Sequence, residues 1–142
     1  MGQRIVPFLG YEDAAGAIEW LEQAFGFRED RAARVEESGT ITHAELELDG
    51  ATIYLSTPSG YASPKTLRAE SETARRAYDN AWVIDGHFVE VDDVDAHYER
   101  AVAGGATILR EPEEPGIGLR IYTAEDPEGH RWMFGQRLEG GS

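Results

Sequence analysis

The feature that most constrains this chain is a helix pattern written twice, 80 positions apart. From Asp13, apolar side chains recur at Ala14, Ile18, Leu21 and Phe25, and Gly26 ends the run. From Asp93 the same spacing gives Val94, Tyr98 and Ala101, with Gly104-Gly105 as the stop. Each run has an aspartate where an N-cap is needed and a glycine where a left-handed terminal residue is favoured. The same offset lays Pro7-Phe8-Leu9 over His87-Phe88-Val89, two short strands that each lead into a helix.

The repeat continues downstream. After the first helix the pattern predicts strands at Phe27–Val35, Thr40–Leu48 and Ala51–Thr57, the last two joined by the hairpin pair Asp49-Gly50. After the second come strands at Thr107–Arg110, Leu119–Glu125 and His130–Gln136, with Asp126-Pro127-Glu128-Gly129 suited to a type I turn. The chain therefore reads as an α+β fold of two βαβββ modules, residues 4–57 and 87–137. A polar connector, 58–86, separates them, and Ser63-Pro64 can start a helix there that runs through Tyr78. Glu111 to Gly116 reads as an irregular loop, and residues 138–142 as a tail.

Composition narrows the function classes. At 142 residues, with 41% hydrophobic and 28% charged side chains, the chain suits one globular domain with a real core. A net charge of −14 argues against nucleic acid or an anionic membrane as partner. The absence of cysteine removes disulfides, thiol nucleophiles and thiolate metal sites. No run has the length of a membrane span and no signal-peptide pattern opens the chain, so a cytoplasmic location is expected.

The module order and three motifs together resemble the vicinal oxygen chelate superfamily: glyoxalase I, bleomycin-resistance proteins and extradiol dioxygenases. The motifs are Ala17-Ile18-Glu19-Trp20-Leu21-Glu22-Gln23-Ala24-Phe25-Gly26-Phe27, the module entry Val89-Glu90-Val91-Asp92-Asp93-Val94-Asp95, and Gly118-Leu119-Arg120-Ile121-Tyr122 followed by Asp126-Pro127-Glu128-Gly129-His130. The resemblance implies two half-barrel sheets that cup a concave site and carry their helices on the convex side. It also implies a homodimer. Function varies widely across that superfamily, so the fold alone does not give it.

Register decides which side chains face such a site. A two-residue turn at Asp49-Gly50 pairs Leu48 with Ala51, Leu46 with Ile53 and Ala44 with Leu55 on an apolar, helix-side face. The other face then carries Glu47/Thr52, Glu45/Tyr54 and His43/Ser56. A four-residue turn pairing Glu125 with His130 puts Ile121, Thr123, Trp132 and Phe134 under the second helix, leaving Arg120, Tyr122, Ala124, Arg131 and Met133 opposite. Alternation from His87 places Glu90 under that helix, where a carboxylate needs a partner. His97 is expected at the boundary of the helix stripe and His130 in solvent.

Metal-dependent members of the superfamily take ligands from the first and last strand of each module. By resemblance those corners are Pro7 or its neighbour Val6, Tyr54, His87 and Met133, of which only His87 is a good donor for a divalent metal. The leading expectation is a metal-independent small-molecule binder with no cofactor, similar to the antibiotic-sequestering bleomycin-resistance proteins. Its ligand-contact set is His43, Glu45, Tyr54, Trp82, His87, Arg120, Tyr122 and Met133, with Tyr61 and Tyr78 as further aromatic area. Glutamates favour a cationic ligand and arginines an anionic one, so ligand charge stays open. The alternative is a glyoxalase-type lyase or dioxygenase holding one Zn, Ni, Mn or Fe ion on His87 with His43 and Glu45. A third option is a subunit whose dimer contacts matter more than its site.

Overall fold

Both helices start at their aspartates. In the computed structural model, which describes residues 4–80 and 86–139, the Asp13 carboxylate accepts from Gly16 N–H at 3.0 Å. That of Asp93 accepts from Ala96 N–H at 3.1 Å. Each satisfies a backbone donor that the first helical turn leaves open. Contacts divide the chain into two units, Met1–Ser63 and Pro64–Ser142, with one module in each.

In the first unit β1 (Phe8–Gly10) leads into α1 (Ala14–Trp20), which continues as a π-helical turn over Leu21–Phe25. Then come β2 (Arg28–Glu29), a 3-10 turn at Arg31–Ala33, β3 (Val35–Glu37), β4 (Thr40–Leu48) and β5 (Ala51–Ser56). The expected single strand Phe27–Val35 is thus broken in two. Asp30 causes the break, because its side chain caps the 3-10 turn on Ala32 N–H at 3.2 Å while its own N–H stays on the Glu45 carbonyl. The sheet order is β1-β5-β4-β2, with β3 also pairing β4. Asp49 and Gly50 both have positive φ, as a two-residue hairpin turn needs. The register from Leu48–Ala51 to Ala44–Leu55 is the expected one. Ala14, Ala17, Ile18, Leu21, Ala24 and Phe25 are buried on the same side as Leu9, Ala44, Leu46, Ile53 and Leu55.

In the second unit the connector forms two helices, α2 (Pro64–Glu70) and α3 (Glu72–Ala77). They split at Ser71, whose hydroxyl accepts from Ala74 N–H at 3.2 Å. Next come β6 (Gly86–Glu90), α4 (Val94–Ala103), β7 (Thr107–Glu113), β8 (Leu119–Glu125) and β9 (Arg131–Arg137). The order β6-β9-β8-β7 repeats the first sheet, with the opening strand parallel to the closing one. Glu111, Pro112 and Glu113 belong to β7, although its pairing shifts register there.

The second hairpin departs from expectation by one residue. Gly129 N–H bonds to the Asp126 carbonyl, closing the expected turn, but Asp126 N–H also bonds to the His130 carbonyl. Gly129 sits at φ 91° and supplies the left-handed extra residue of a bulged loop. Glu125 consequently opposes Arg131, Ala124 opposes Trp132 and Tyr122 opposes Phe134. Trp132 and Phe134 stay under α4 as expected, but Arg120, Tyr122 and Ala124 move to the helix side with them, and Ile121 and Thr123, expected there, take the helix-free face with Met133. A one-residue slip moves every side chain of a strand to the other face.

The α+β fold of two curved sheets, each with its own helix, is therefore present, and no closed barrel forms among the described residues. No helix of the described residues is long and apolar enough to cross a membrane.

Candidate functional site

The helix-free face of the first sheet gathers aromatic rings around an acid–base pair. Phe8 of β1 stands beside Tyr54 of β5, which is paired with Glu45 of β4. The Phe8 and Tyr54 rings meet edge-on at 6.2 Å, and His43 lies 5.0 Å from Tyr54 and 6.3 Å from Phe8. His43 Nε2 lies 2.7 Å from a Glu45 carboxylate oxygen. Phe8 is 61% exposed, so its ring is offered to whatever approaches this face. His43, Glu45 and Tyr54 were grouped by sequence; Phe8 was not. The alternation that buries Leu9 identifies it, because its neighbour must point the other way.

The second sheet places its candidates differently. His87 pairs with Trp132 and lies 4.9 Å from its ring, on the helix side, with its Nδ1 3.2 Å from the Arg131 carbonyl. Burial of Val91 beside α4 sets this alternation, so Phe88 takes the helix-free face next to Met133 and across Gly135. Glu90 also leaves the helix side and reaches Arg137 at 3.5 Å, which is the partner the sequence could not name. Tyr122 is fully buried, with its hydroxyl 2.6 Å from His97 Nδ1, and burial pushes its phenol above the ordinary tyrosine value. His97 lies tilted against Phe134, with ring centroids 4.2 Å apart, and is part of the core boundary. Arg120 binds Asp95 of α4 at 3.0 Å. Trp82 lies outside the described residues.

Arg131 keeps the helix-free face and Glu125 joins it there, but both are already committed. Glu125 accepts from Arg131 Nε at 2.6 Å and from both terminal nitrogens of Arg68 at 3.0 and 3.1 Å. The remaining Arg131 nitrogens donate to the carbonyls of Tyr78 and Asn80. Both guanidinium groups also lie about 5 Å from the Tyr78 ring, at 4.9 and 5.1 Å. This cluster fastens the connector to its own sheet, a role invisible in the sequence because it joins residues over 50 positions apart. A cavity of about 280 Å³ beside it is lined by Lys65, Arg68, Thr107, Glu125 and Asp126. The Asp126 carboxylate there is occupied by Glu128 N–H, His130 N–H and the Trp132 indole. The open aromatic face of the first sheet has the freer chemistry.

Residues 4–134 match the model of the glyoxalase/bleomycin resistance protein/dioxygenase superfamily. The chain belongs to that superfamily. It is 33% identical over 131 residues to an uncharacterized protein of Mycobacterium bovis, spanning 92% of this chain and 80% of that one. TioX from Micromonospora sp. ML1 superposes with a TM-score of 0.69 and 31% identity, over 96% of this chain and 98% of TioX. TnmS3, an antibiotic binding protein from Streptomyces sp. CB03234, superposes at 0.63 with 19% identity, over 96% and 98%. Such structures share the vicinal oxygen chelate fold.

Membership in this superfamily makes the donor set at the strand corners decisive. On the helix-free faces of the first and last strands stand Phe8 and Tyr54 in one unit and Phe88 and Met133 in the other. A phenyl ring has no donor, a thioether suits soft metals, and a phenol ligates mainly once ionised. These residues do not fit a divalent ion. No three His, Asp or Glu side chains converge on a common point among the described residues.

Proposed function

We propose that this protein binds a small aromatic molecule on the helix-free face of its first sheet and does so without a resident metal. The observation that carries the reading is the replacement of corner donors by rings, with Phe8 and Tyr54 beside the His43–Glu45 pair. Exposed rings at a preformed site bind planar ligands at low entropic cost, because they have few torsions to freeze. Superfamily membership and the antibiotic-binding role of the structurally similar TnmS3 support a sequestering function, with antibiotic resistance as its consequence. The glyoxalase-type or dioxygenase alternative needs a metal on His87, and His87 turned toward Trp132 weighs against it. A cytoplasmic homodimer is the state in which we expect this protein to act; light scattering at micromolar concentration tests the dimer.

Titration with methoxynaphthalene, followed by NMR, tests the binding face. Resonances of Phe8, His43 and Tyr54 should shift together, and Tyr54→Ala should weaken binding about tenfold, the loss of roughly 1–1.5 kcal/mol of ring contact. Shifts confined to other residues would overturn the assignment.

A further inference from the structure

We propose that His43 and Glu45 form a tautomer-locked hydrogen-bond acceptor, which selects aromatic ligands carrying a hydroxyl donor. The inference rests on the binding face assigned above and names the class of ligand it takes.

An ionised carboxylate accepts hydrogen bonds and cannot donate them. At 2.7 Å from Glu45, Nε2 of a neutral His43 must therefore carry the ring proton, which leaves Nδ1 with a lone pair. Nδ1 has no hydrogen-bond partner among the described residues. The pair is not sealed in the core, since both side chains are 30% exposed. It is not fully solvated either, because rings flank it. Tyr54 lies edge-on at 5.0 Å and Phe8 tilts toward it at 6.3 Å.

The neighbouring strands add no competing donor of fixed charge at that point. Glu45 from the same strand and Tyr54 from β5 are the titratable groups beside His43, while β1 and β3 contribute Phe8 and Val35. Arg28 of β2 stands opposite Glu47, two positions farther along. Acceptors thus outnumber donors at this end of the face: Nδ1 and the second Glu45 oxygen only accept, while the Tyr54 hydroxyl can accept or donate. A ligand that stacks on Phe8 and Tyr54 completes the set by donating an O–H to Nδ1. A carboxylate in the same place would meet lone pairs and a negative charge.

Three probes of one ring size separate the possibilities: naphthol, its methyl ether, and naphthoate. Binding to the full chain is read by NMR titration, and the imidazole nitrogen shifts of His43 report its tautomer directly. Naphthol should bind about tenfold more tightly than methoxynaphthalene, the size of one well-made hydrogen bond. Naphthoate should bind most weakly. His43 should show the Nε2–H form. In His43→Phe, naphthol and the ether should bind alike; in Glu45→Gln, where the amide no longer fixes the tautomer, discrimination should shrink. Equal affinity for naphthol and ether in the unmodified protein, or an Nδ1–H tautomer, would overturn the acceptor while leaving the aromatic face intact. Discrimination that survives in His43→Phe would overturn it as well. Absence of binding by all three probes, with no shift at Tyr54, would overturn the binding face and this inference together.

Discussion

Arg131 and Glu125 face each other across the second hairpin, 2.6 Å apart and each less than a tenth exposed. A buried ion pair contributes little net stability while intact, but removing one partner strands the other charge. Glu125→Ala should therefore destabilise the protein by roughly 3–5 kcal/mol. Arg68→Ala should cost well under half of that, because Arg68 is 23% exposed and Arg131 still holds Glu125. Urea unfolding midpoints of the two variants give the comparison. Equal losses would show that the connector, rather than the buried charge, carries the effect.

Gly129 and Gly50 give a matched test of the bulged turn. Both have positive φ, 91° and 89°. A Cβ on Gly50 would meet nothing within 4 Å, whereas one on Gly129 would stand 2.7 Å from Arg68 Nη2 and 3.0 Å from the Lys65 backbone nitrogen. Gly50→Ala should cost the left-handed penalty of about 1–2 kcal/mol. Gly129→Ala should cost more, since the Lys65 backbone cannot step aside as a side-chain end can. Equal losses in thermal unfolding would remove that backbone contact from the account.

The same turn marks where the sequence stopped being legible. Asp13, Asp93 and the Asp49-Gly50 pair act on their immediate neighbours, so caps and first-hairpin register could be read directly. Asp126-Pro127-Glu128-Gly129 fits a four-residue loop and a three-residue loop with a bulge equally well, and the two differ by one residue. That residue decides whether Tyr122 and Arg120 face a ligand or α4. His43, Glu45 and Tyr54 were legible because a two-residue hairpin leaves no such freedom. Phe8 and Phe88 were overlooked because the opening strands were phased on Pro7 and His87, one residue away from the alternation that the buried Leu9 and Val91 set. Glu125, Arg68 and Arg131 depend on a connector whose path no periodicity describes.

Tyr122 predicts a pH response of known sign. Burial raises its phenol above the ordinary value of about 10, so the folded state favours the protonated form. The stability it contributes is complete below pH ~10 and is lost as pH rises beyond that, when the unfolded chain ionises first. Alkaline titration followed by phenolate absorbance should show a delayed step on unfolding, and Tyr122→Phe should lower its amplitude by one tyrosine. A delayed step of unchanged amplitude in Tyr122→Phe would contradict the assignment.

Leu21 is fully buried where α1 passes into its π-helical turn. Truncation to alanine leaves a cavity that the helix and sheet close only in part, at a cost of ~2–5 kcal/mol. A loss below 1 kcal/mol by denaturant unfolding would contradict the packing described for the first unit.

Metal content tests the central claim most directly. Protein purified without chelator should carry well under one Zn, Ni, Mn or Fe per chain by elemental analysis, since Phe8, Tyr54, Phe88 and Met133 offer no adequate donor set for a divalent ion. His87→Ala should leave that content and ligand binding nearly unchanged. One metal per chain that disappears in His87→Ala, His43→Ala or Glu45→Ala would contradict the account and make the metal-dependent enzyme the correct reading.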